Sequence, residues 1–504
     1  MNIFSASETA AIVLIFLIAL GVLAWGFNRA RSYGKLGILA WLQSVVLMAP
    51  WLVFFGLFAL GIYLNLVGIL FLLVASAVAY IILGNRLRAA GQDAILREWA
   101  ASRIESEREL TTPADITSAS TSESTQISPE VLPIPEEDLK RIQGIFGIDT
   151  FFATETISYQ EGAIFKGTLR GDPETSYSRL SEKLKERLGD KYRLFLVESP
   201  EGKPVAIVLP SSNDPKPATL AQKNLALVLF VATVATTLET GGLLLGFDLF
   251  SNLSRYQEAL PISLGIWTVL IAHEIGHRLL AKRYNIRLSV PFFIPTWQLG
   301  SFGAITRFES LLPNRTVLFD IALAGPAFGG IASLFMLIAG LLLSSPGSTF
   351  KIPSEFFQGS ILVGTLARVI LGSALQAPAV DIHPLVAIGW LGLVIAALNL
   401  MPAGQLDGGR IVQAIYGRKI ARRTTIGTLI VLGIVAIVNP GNPIPLYWGI
   451  LIIFLQRELE RPSLNELTEI DDTRAAWGLL ALFLMLATLI PLSPGLAGRL
   501  GIGG

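Results

Sequence analysis

The stretch WTVLIAHEIGHRLLAKRY, residues 267–284, sets His273 and His277 around Glu274 at the end of a run with no charge from Ala259 to His273. The whole chain of 504 residues has 3 histidines, so the meeting of two of them here needs a reason. On a helix, positions i and i+4 share a face, which turns both imidazoles toward one point. Neutral imidazoles are good zinc ligands. An acid beside them can take a proton from a water that the metal has acidified to a pKa of about 7. The competing reading is a polar helix end at a membrane interface, with Arg278 following at once. Ionisable groups in or beside a membrane span are costly and by default functional, which favours the metal. A catalytic zinc takes three protein ligands and leaves one position open, so a third donor must come from elsewhere in the chain.

The elements that deliver it have to be membrane helices. Hydrophobic residues make up 52% of the chain and charged residues 15%, with a mean hydropathy of +0.59. A span needs about 20 apolar residues, and uncharged runs of that order fill 9–28, 36–85 (long enough for two), 321–350, 382–406, 424–456 and 475–498. The net charge of +1 gives no sign of a nucleic-acid partner. Basic residues cluster between the runs, at Arg29/Arg31/Lys35, Arg86/Arg88, Lys282/Arg283/Arg287 and Arg418/Lys419/Arg422/Arg423. Loops rich in Lys and Arg stay on the cytoplasmic side. With the N-terminus outside, ten spans put every cluster inside: 9–28, 37–61, 64–84, 224–247, 259–280, 317–344, 382–401, 424–438, 445–456 and 475–492. The ninth is short, so the expected number is eight to ten. The chain has no cysteine, which excludes disulfides and thiolate metal sites. Its start carries Glu8 and no arginine before residue 29, unlike an organelle transit peptide, and is taken as the first span.

Residues 86–110 have the charge pattern of an amphipathic helix, and the Ser/Thr/Pro-rich stretch 111–135 that of a flexible linker. A small soluble α+β unit follows. EEDLKRIQGIFG and PETSYSRLSEKLKERLG predict helices, the second ending at Gly189. AIFKGTLR predicts a strand, and YRLFLVESPEGKPVAIVLP a hairpin turning at Glu201-Gly202.

For the third donor, the continuation HExxHxxGxxH would need glycine at 280 and histidine at 283, where the chain has Leu280 and Arg283. His383 precedes a span entering from the outside, at the wrong depth. A carboxylate is left, and Glu309, Asp320 and Asp407 all lie near cytoplasmic ends of their segments, as HEIGH does. Asp320 opens a helix, where the macrodipole favours an acid in any case. Asp407 sits in NLMPAGQLDGGR (399–410), where Pro402 and three glycines break the span.

HEIGH together with NLMPAGQLDGG resembles the site-two proteases, intramembrane zinc metalloproteases that pair an HExxH helix with a later Asn-Pro-Asp-Gly motif. The resemblance implies zinc held by His273, His277 and Asp407, Glu274 as the general base, and Asn399 holding the substrate carbonyl. FDIALAGPAFG (319–329) is similar to that family's third core segment. PFFIPTWQLGSFGAITRFESLLPNR is similar to the plant and cyanobacterial EGY branch, which also carries a Gly-Asn-Leu-Arg motif; here it reads Gly167-Thr168-Leu169-Arg170. The resemblance covers about residues 140–460 and implies a cyanobacterial plasma or thylakoid membrane.

Residues 289–308 are apolar but broken by Pro291, Pro295, Gly300 and Gly303, which predicts a short re-entrant hairpin that could pair with an unwound substrate segment. Glu239 lies too far toward the outer face to join HEIGH and is assigned an interfacial or structural role, and Arg368 an outer-face loop or amphipathic helix. The expected architecture is therefore an all-α polytopic membrane protein of about eight to ten transmembrane helices, with a re-entrant hairpin, plus a small soluble α+β domain. Its parts are an N-terminal three-span region (1–85), the charged helix and linker (86–135), the soluble domain (136–212), a metalloprotease core (220–460) and a C-terminal loop with the last span (461–504). The expected function is a zinc endopeptidase cleaving transmembrane segments of single-span proteins within the lipid bilayer, its active site toward the cytoplasm. A divalent-metal transporter using the same ligands and a catalytically silent scaffold are the alternatives. Few further polar groups line the spans, against transport, and the intact Glu274 speaks against a scaffold. Nothing in the sequence bears on oligomeric state.

Overall fold

The computed structural model describes residues 134–502 except 160, 200, 297, 298 and 457, with scattered positions between 24 and 86. The chain divides into two compact units, Met1–Gln126 and Ile127–Gly504. In the first, the described positions are helical and include Phe27 and Trp41 packed edge to face, ring centroids 5.0 Å apart. Apart from such positions, the three N-terminal spans, the helix 86–110 and the linker expected from sequence lie outside the described residues.

The second unit opens with α1 (Glu136–Gln143), β1 (Phe151–Tyr159), β2 (Gly162–Leu169), α2 (Pro173–Leu188), β3 (Tyr192–Glu198) and β4 (Pro204–Pro210). The strands form one antiparallel sheet in the order β1-β2-β4-β3. Asp172 caps α2 by accepting from the Thr175 amide, Pro173 supplies the first helical residue, and Gly189 stops it at φ +60°. Alternate residues of the strands face the helices and bury Phe151, Phe165, Leu194, Leu196 and Val208 with Leu180. The sequence reading anticipated both helices and three of these strands but not β1. This edge strand is mostly exposed and bulged between Ala153 and Glu155, so FFATETISY lacks the clean apolar alternation of a half-buried strand.

The remainder is mostly helical. Its elements are α3 (Leu220–Leu244), α4 (Tyr256–Arg283), β5 (Phe292–Thr296), β6 (Gly300–Ile305), α5 (Arg315–Leu343), β7 (Phe350–Pro353), α6 (Ile361–Leu371), β8 (Ala379–Ile382), α7 (Pro384–Asn399), α8 (Asp407–Val438), α9 (Ile444–Leu451), α10 (Asp472–Leu489) and α11 (Pro494–Leu500). Among the described residues, five helices are long and apolar enough to cross a membrane, those built around α3, α4, α5, α8 and α10. Large side chains point away from the protein along them, with Phe335 72% and Ile437 80% exposed. Burying such faces against lipid removes their hydration cost. The features fit a polytopic membrane protein.

Three expected spans take another form. The segment 382–401 holds the 16-residue α7, and 445–456 holds α9 running into a π turn at Ile452–Gln456. The segment 424–438 is the second half of α8, which begins at Asp407 and kinks at Gly417, φ +78°. The positive cluster of 418–423 reads as a loop in sequence. Here it is helical, and Arg315 donates to the carbonyls of Ala414 and Ile415 just before the kink.

α4, α5 and α7 pack together at small residues. A Cβ on Gly276 of α4 would collide with the Ala324 carbonyl of α5, so the two backbones meet without side chains between them. Near the same end, α10 is tied to α5. Arg474 forks onto Asp320 (2.7 and 3.0 Å), and the Tyr284 hydroxyl also donates to Asp320, which pushes that phenol above its usual range. Asp320 is thereby occupied by a cation of its own. Asp320→Ala is expected to lower stability by about 2 kcal/mol, read as a lower Tm in detergent, with bound metal unchanged.

Candidate metal centre and active site

HEIGH lies in the last third of α4, where the helix carries its histidines onto α5. His273 and His277 are buried, 8% and 4% exposed, with ring centroids 4.8 Å apart. The His277 ring needs the hole that Gly325 leaves in α5, since a Cβ there would collide with Nε2. Gly329, one turn on, makes similar room for His273. His277 Nδ1 lies 2.7 Å from the Ile321 carbonyl, which can only accept, so Nδ1 carries the proton and Nε2 presents a lone pair.

The third donor comes from α8. Leaving α7 at Asn399, the chain turns tightly through Met401–Leu406, and Asp407 becomes the first residue of α8. Gly408 permits this turn, because any Cβ there would meet the Leu400 carbonyl. Asp407 Oδ2 then stands 3.2 Å from His273 Nε2 and 3.4 Å from His277 Nε2, while the two Nε2 atoms are 3.0 Å apart. This is the only trio of metal-ligating side chains found among the described residues. The three edges suit a tetrahedral ion with bonds of about 2.0–2.1 Å, for which donors sit about 3.3 Å apart. Two imidazole nitrogens and one carboxylate oxygen, all buried, form a zinc-type donor set, and the residues fit the metal that the sequence implies.

Glu274, next to His273 in sequence, is 12% exposed at its side chain. Its Oε2 accepts from the Thr306 hydroxyl (2.9 Å) at the end of β6. Arg278 Nε is 2.6 Å from Oε1, but no N–H is aimed along that contact, and Oε1 stays buried without a hydrogen-bond donor. A cavity of about 10 Å³ lies against His273, Glu274, Gly303, Ala304 and Ile395. It has room for about one water, a fitting donor to the unpartnered oxygen.

β5 and β6 pair antiparallel across 289–308, with a bulge at Phe302-Gly303. Gly303 adopts φ +103° and lies so close to Asn399 that a side chain would not fit. Asn399 spends both amide hydrogens on the chain's own carbonyls, Phe302 (3.1 Å) and Ile395 (2.9 Å). Its visible contacts thus tie β6 to α7.

Of the other carboxylates weighed from sequence, Glu309 accepts from the Ala218 amide, and Glu239 is buried and accepts from the Leu249 amide. His383 caps α7 through the Leu385 amide, and Arg368 lies on α6. None of these joins the trio. Sequence reasoning did not single out Thr306, Arg410 or Glu460, although all three are buried around the centre. Of the three, only Arg410 has a local signal, since it lies one helical turn after Asp407.

Residues 261–438 match the family described as Peptidase family M50, and residues 140–216 the EGY3 middle domain. The probable zinc metalloprotease EGY1, chloroplastic, of Arabidopsis thaliana is 37% identical over 404 residues, covering 73% of this chain and 73% of that protein. The probable zinc metalloprotease EGY2, chloroplastic, of the same plant is 39% identical over 371 residues (71% and 65%). The probable zinc metalloprotease EGY3, chloroplastic, of Oryza sativa subsp. indica is 31% identical over 376 residues (70% and 64%). No solved structure matches the chain.

The contact between Gly325 and His277 yields a test that leaves every donor in place. Gly325→Ala should fold but displace the His277 ring, so that zinc content of the purified variant falls at least about tenfold below wild type; full occupancy would contradict the geometry. Matches that span both the helical region carrying the three donors and the sheet before it identify the chain as a member of peptidase family M50, the site-2 proteases, related to the EGY zinc metalloproteases.

Proposed function

We propose that the protein is an intramembrane zinc endopeptidase that cleaves a transmembrane segment of a single-span substrate. The observation that carries this reading is the buried trio of His273, His277 and Asp407, with Glu274 and a water-sized cavity beside it, amid helices long and apolar enough to cross a membrane. Bound by the trio, zinc would supply a Lewis acid for a peptide carbonyl and lower the pKa of water. Glu274 acts as the general base: its Oε1, which accepts no hydrogen bond although Arg278 Nε lies 2.6 Å away, takes a proton from a water admitted to the cavity and passes it to the leaving amine, while Thr306 keeps Oε2 in place.

The substrate segment unwinds and lies along β6, whose bulge faces the same cavity. Asn399 serves the substrate through β6 in this reading, holding the strand at Phe302 while the carbonyl to be attacked approaches. The hairpin enters the membrane from the side that carries the active site. Surrounding apolar helices keep bulk water scarce, which strengthens each charge interaction during the reaction. Transport fits less well, since it does not call for a carboxylate base beside the trio, and a silent scaffold has no use for Glu274.

Two experiments test the reading. Glu274→Gln retains the three donors and removes the base, so it is expected to keep zinc and lose cleavage by about 100-fold or more. The assay incubates purified protein in detergent with a panel of single-span membrane proteins, with and without chelator, and near wild-type cleavage by this variant would refute the mechanism. For orientation, our reading puts residues 136–212 and the active site on the cytoplasmic face, with the flanking Arg86/Arg88 and Lys282/Arg283 as its support. Since the chain has no cysteine, Ser211→Cys is expected to react with a membrane-impermeant thiol reagent only after lysis. Labelling of intact cells would move the site to the other leaflet.

A further inference from the structure

The segment that follows α9 crosses back beneath the metal centre before α10 begins. It is bonded on both flanks. Leu464 and Asn465 donate to the carbonyls of Leu312 and Pro313, while Leu464 and Glu466 exchange backbone bonds with Leu196 of β3. Along α8 the side chains of Gln413 and Arg418 donate to the Glu460 carbonyl. Glu460 is delivered by this strap into the protein, 7% exposed, and meets Arg410, 5% exposed.

Arg410 spends its guanidinium on three different parts of the site. Nε and Nη2 lie 3.0 and 2.8 Å from Glu460 Oε2. Nη2 also donates to the Thr306 carbonyl at 3.0 Å, and Nη1 lies 3.7 Å from Asp407 Oδ1. The plane of the group sits over the Phe308 ring, 4.7 Å from its centroid. Thr306 in turn holds Glu274 through its hydroxyl. One buried cation thus stands at ion-pair distance from Asp407 Oδ1, the oxygen not turned to the histidines, and donates to the residue that holds Glu274. Burying it costs free energy unless it is fully paired, and Glu460 is the anion that pairs it.

We propose that Arg410 and Glu460 are positioning residues that set the third zinc donor, Asp407, and the general base, Glu274, relative to each other. The proposal rests on the zinc-site reading above. A planar fork can hold a carboxylate and a carbonyl at fixed angles, whereas an ammonium cannot. Asp407 binds the histidine side with Oδ2, and Arg410 limits its rotation through Oδ1. On the opposite side, Arg410 anchors the backbone of Thr306, so the hydroxyl that orients Glu274 has a fixed origin.

The test compares Arg410→Lys, Glu460→Gln, the double variant and Thr306→Val, all in the full chain, for zinc retention against a chelator and for kcat and KM on a single-span substrate that wild type cleaves. Arg410→Lys is expected to lose zinc about tenfold faster and to lower kcat about 10–100-fold with KM little changed. Glu460→Gln should shift both readouts in the same direction. The double variant should be no worse than Arg410→Lys alone, because the two residues act as one unit. Thr306→Val should lower kcat while retaining zinc as wild type does. Wild-type zinc retention and kcat in folded Arg410→Lys would overturn the proposal. So would losses that multiply in the double variant, or a lower Tm as the sole effect. Wild type and Glu274→Gln run alongside: a wild type without zinc, or an active Glu274→Gln, would refute the site reading itself and the pair with it.

Discussion

Two imidazole nitrogens and a carboxylate oxygen, buried 3.0–3.4 Å from one another, present lone pairs to a common point. Without a cation or a proton between them such groups repel, and their burial leaves little solvent to screen the repulsion. Much of the surrounding architecture serves to hold this arrangement. The Ile321 carbonyl fixes the proton on the far side of the His277 ring, glycines of α5 leave the rings room, and the turn at Gly408 brings Asp407 in from a different helix. The trio draws its donors from α4 and α8, far apart in sequence, at the crossing of α4 with α5, whose glycines face both histidines.

That crossing depends on the absence of side chains. Gly276 on α4 sits against the Ala324 carbonyl, and Gly325 and Gly329 lie against the histidines. Between apolar helices in lipid there is little hydrophobic gain from association, so close backbone packing and buried polar contacts have to supply it. The helices that carry the donors are both apolar enough to cross a membrane, and the three donors are buried between helices, where each charge contact is strong.

β6 has a double attachment. Asn399 bonds the carbonyl of its bulge, and Thr306 at its end bonds Glu274, so strand, base and α7 are mechanically one piece. The sheet of β1–β4 is linked to the same region by the strap that pairs with β3 at Leu196 and carries Glu460. Motion of the strap relative to α8 would therefore be felt at Arg410.

Much of this was legible in the sequence because it is local. The i,i+4 spacing of His273 and His277, the apolar runs, and the turn chemistry of Gly189 and Glu201-Gly202 each involve residues within a few positions. The choice of Asp407 came from resemblance, since Asp320 and Glu309 stood at comparable depth. Tertiary structure shows why those two are not near the trio, as Arg474 and Tyr284 occupy Asp320 and the Ala218 amide occupies Glu309. It also shows the basic run 418–423 as part of a kinked helix, and it pairs Arg410 with an anion 50 residues away, Glu460. A pairing over that distance leaves no periodicity in sequence. The sequence by itself therefore determined the chemistry available and the helices that carry it, while which charges meet, and so which acids are left for a metal, is decided only when the helices pack.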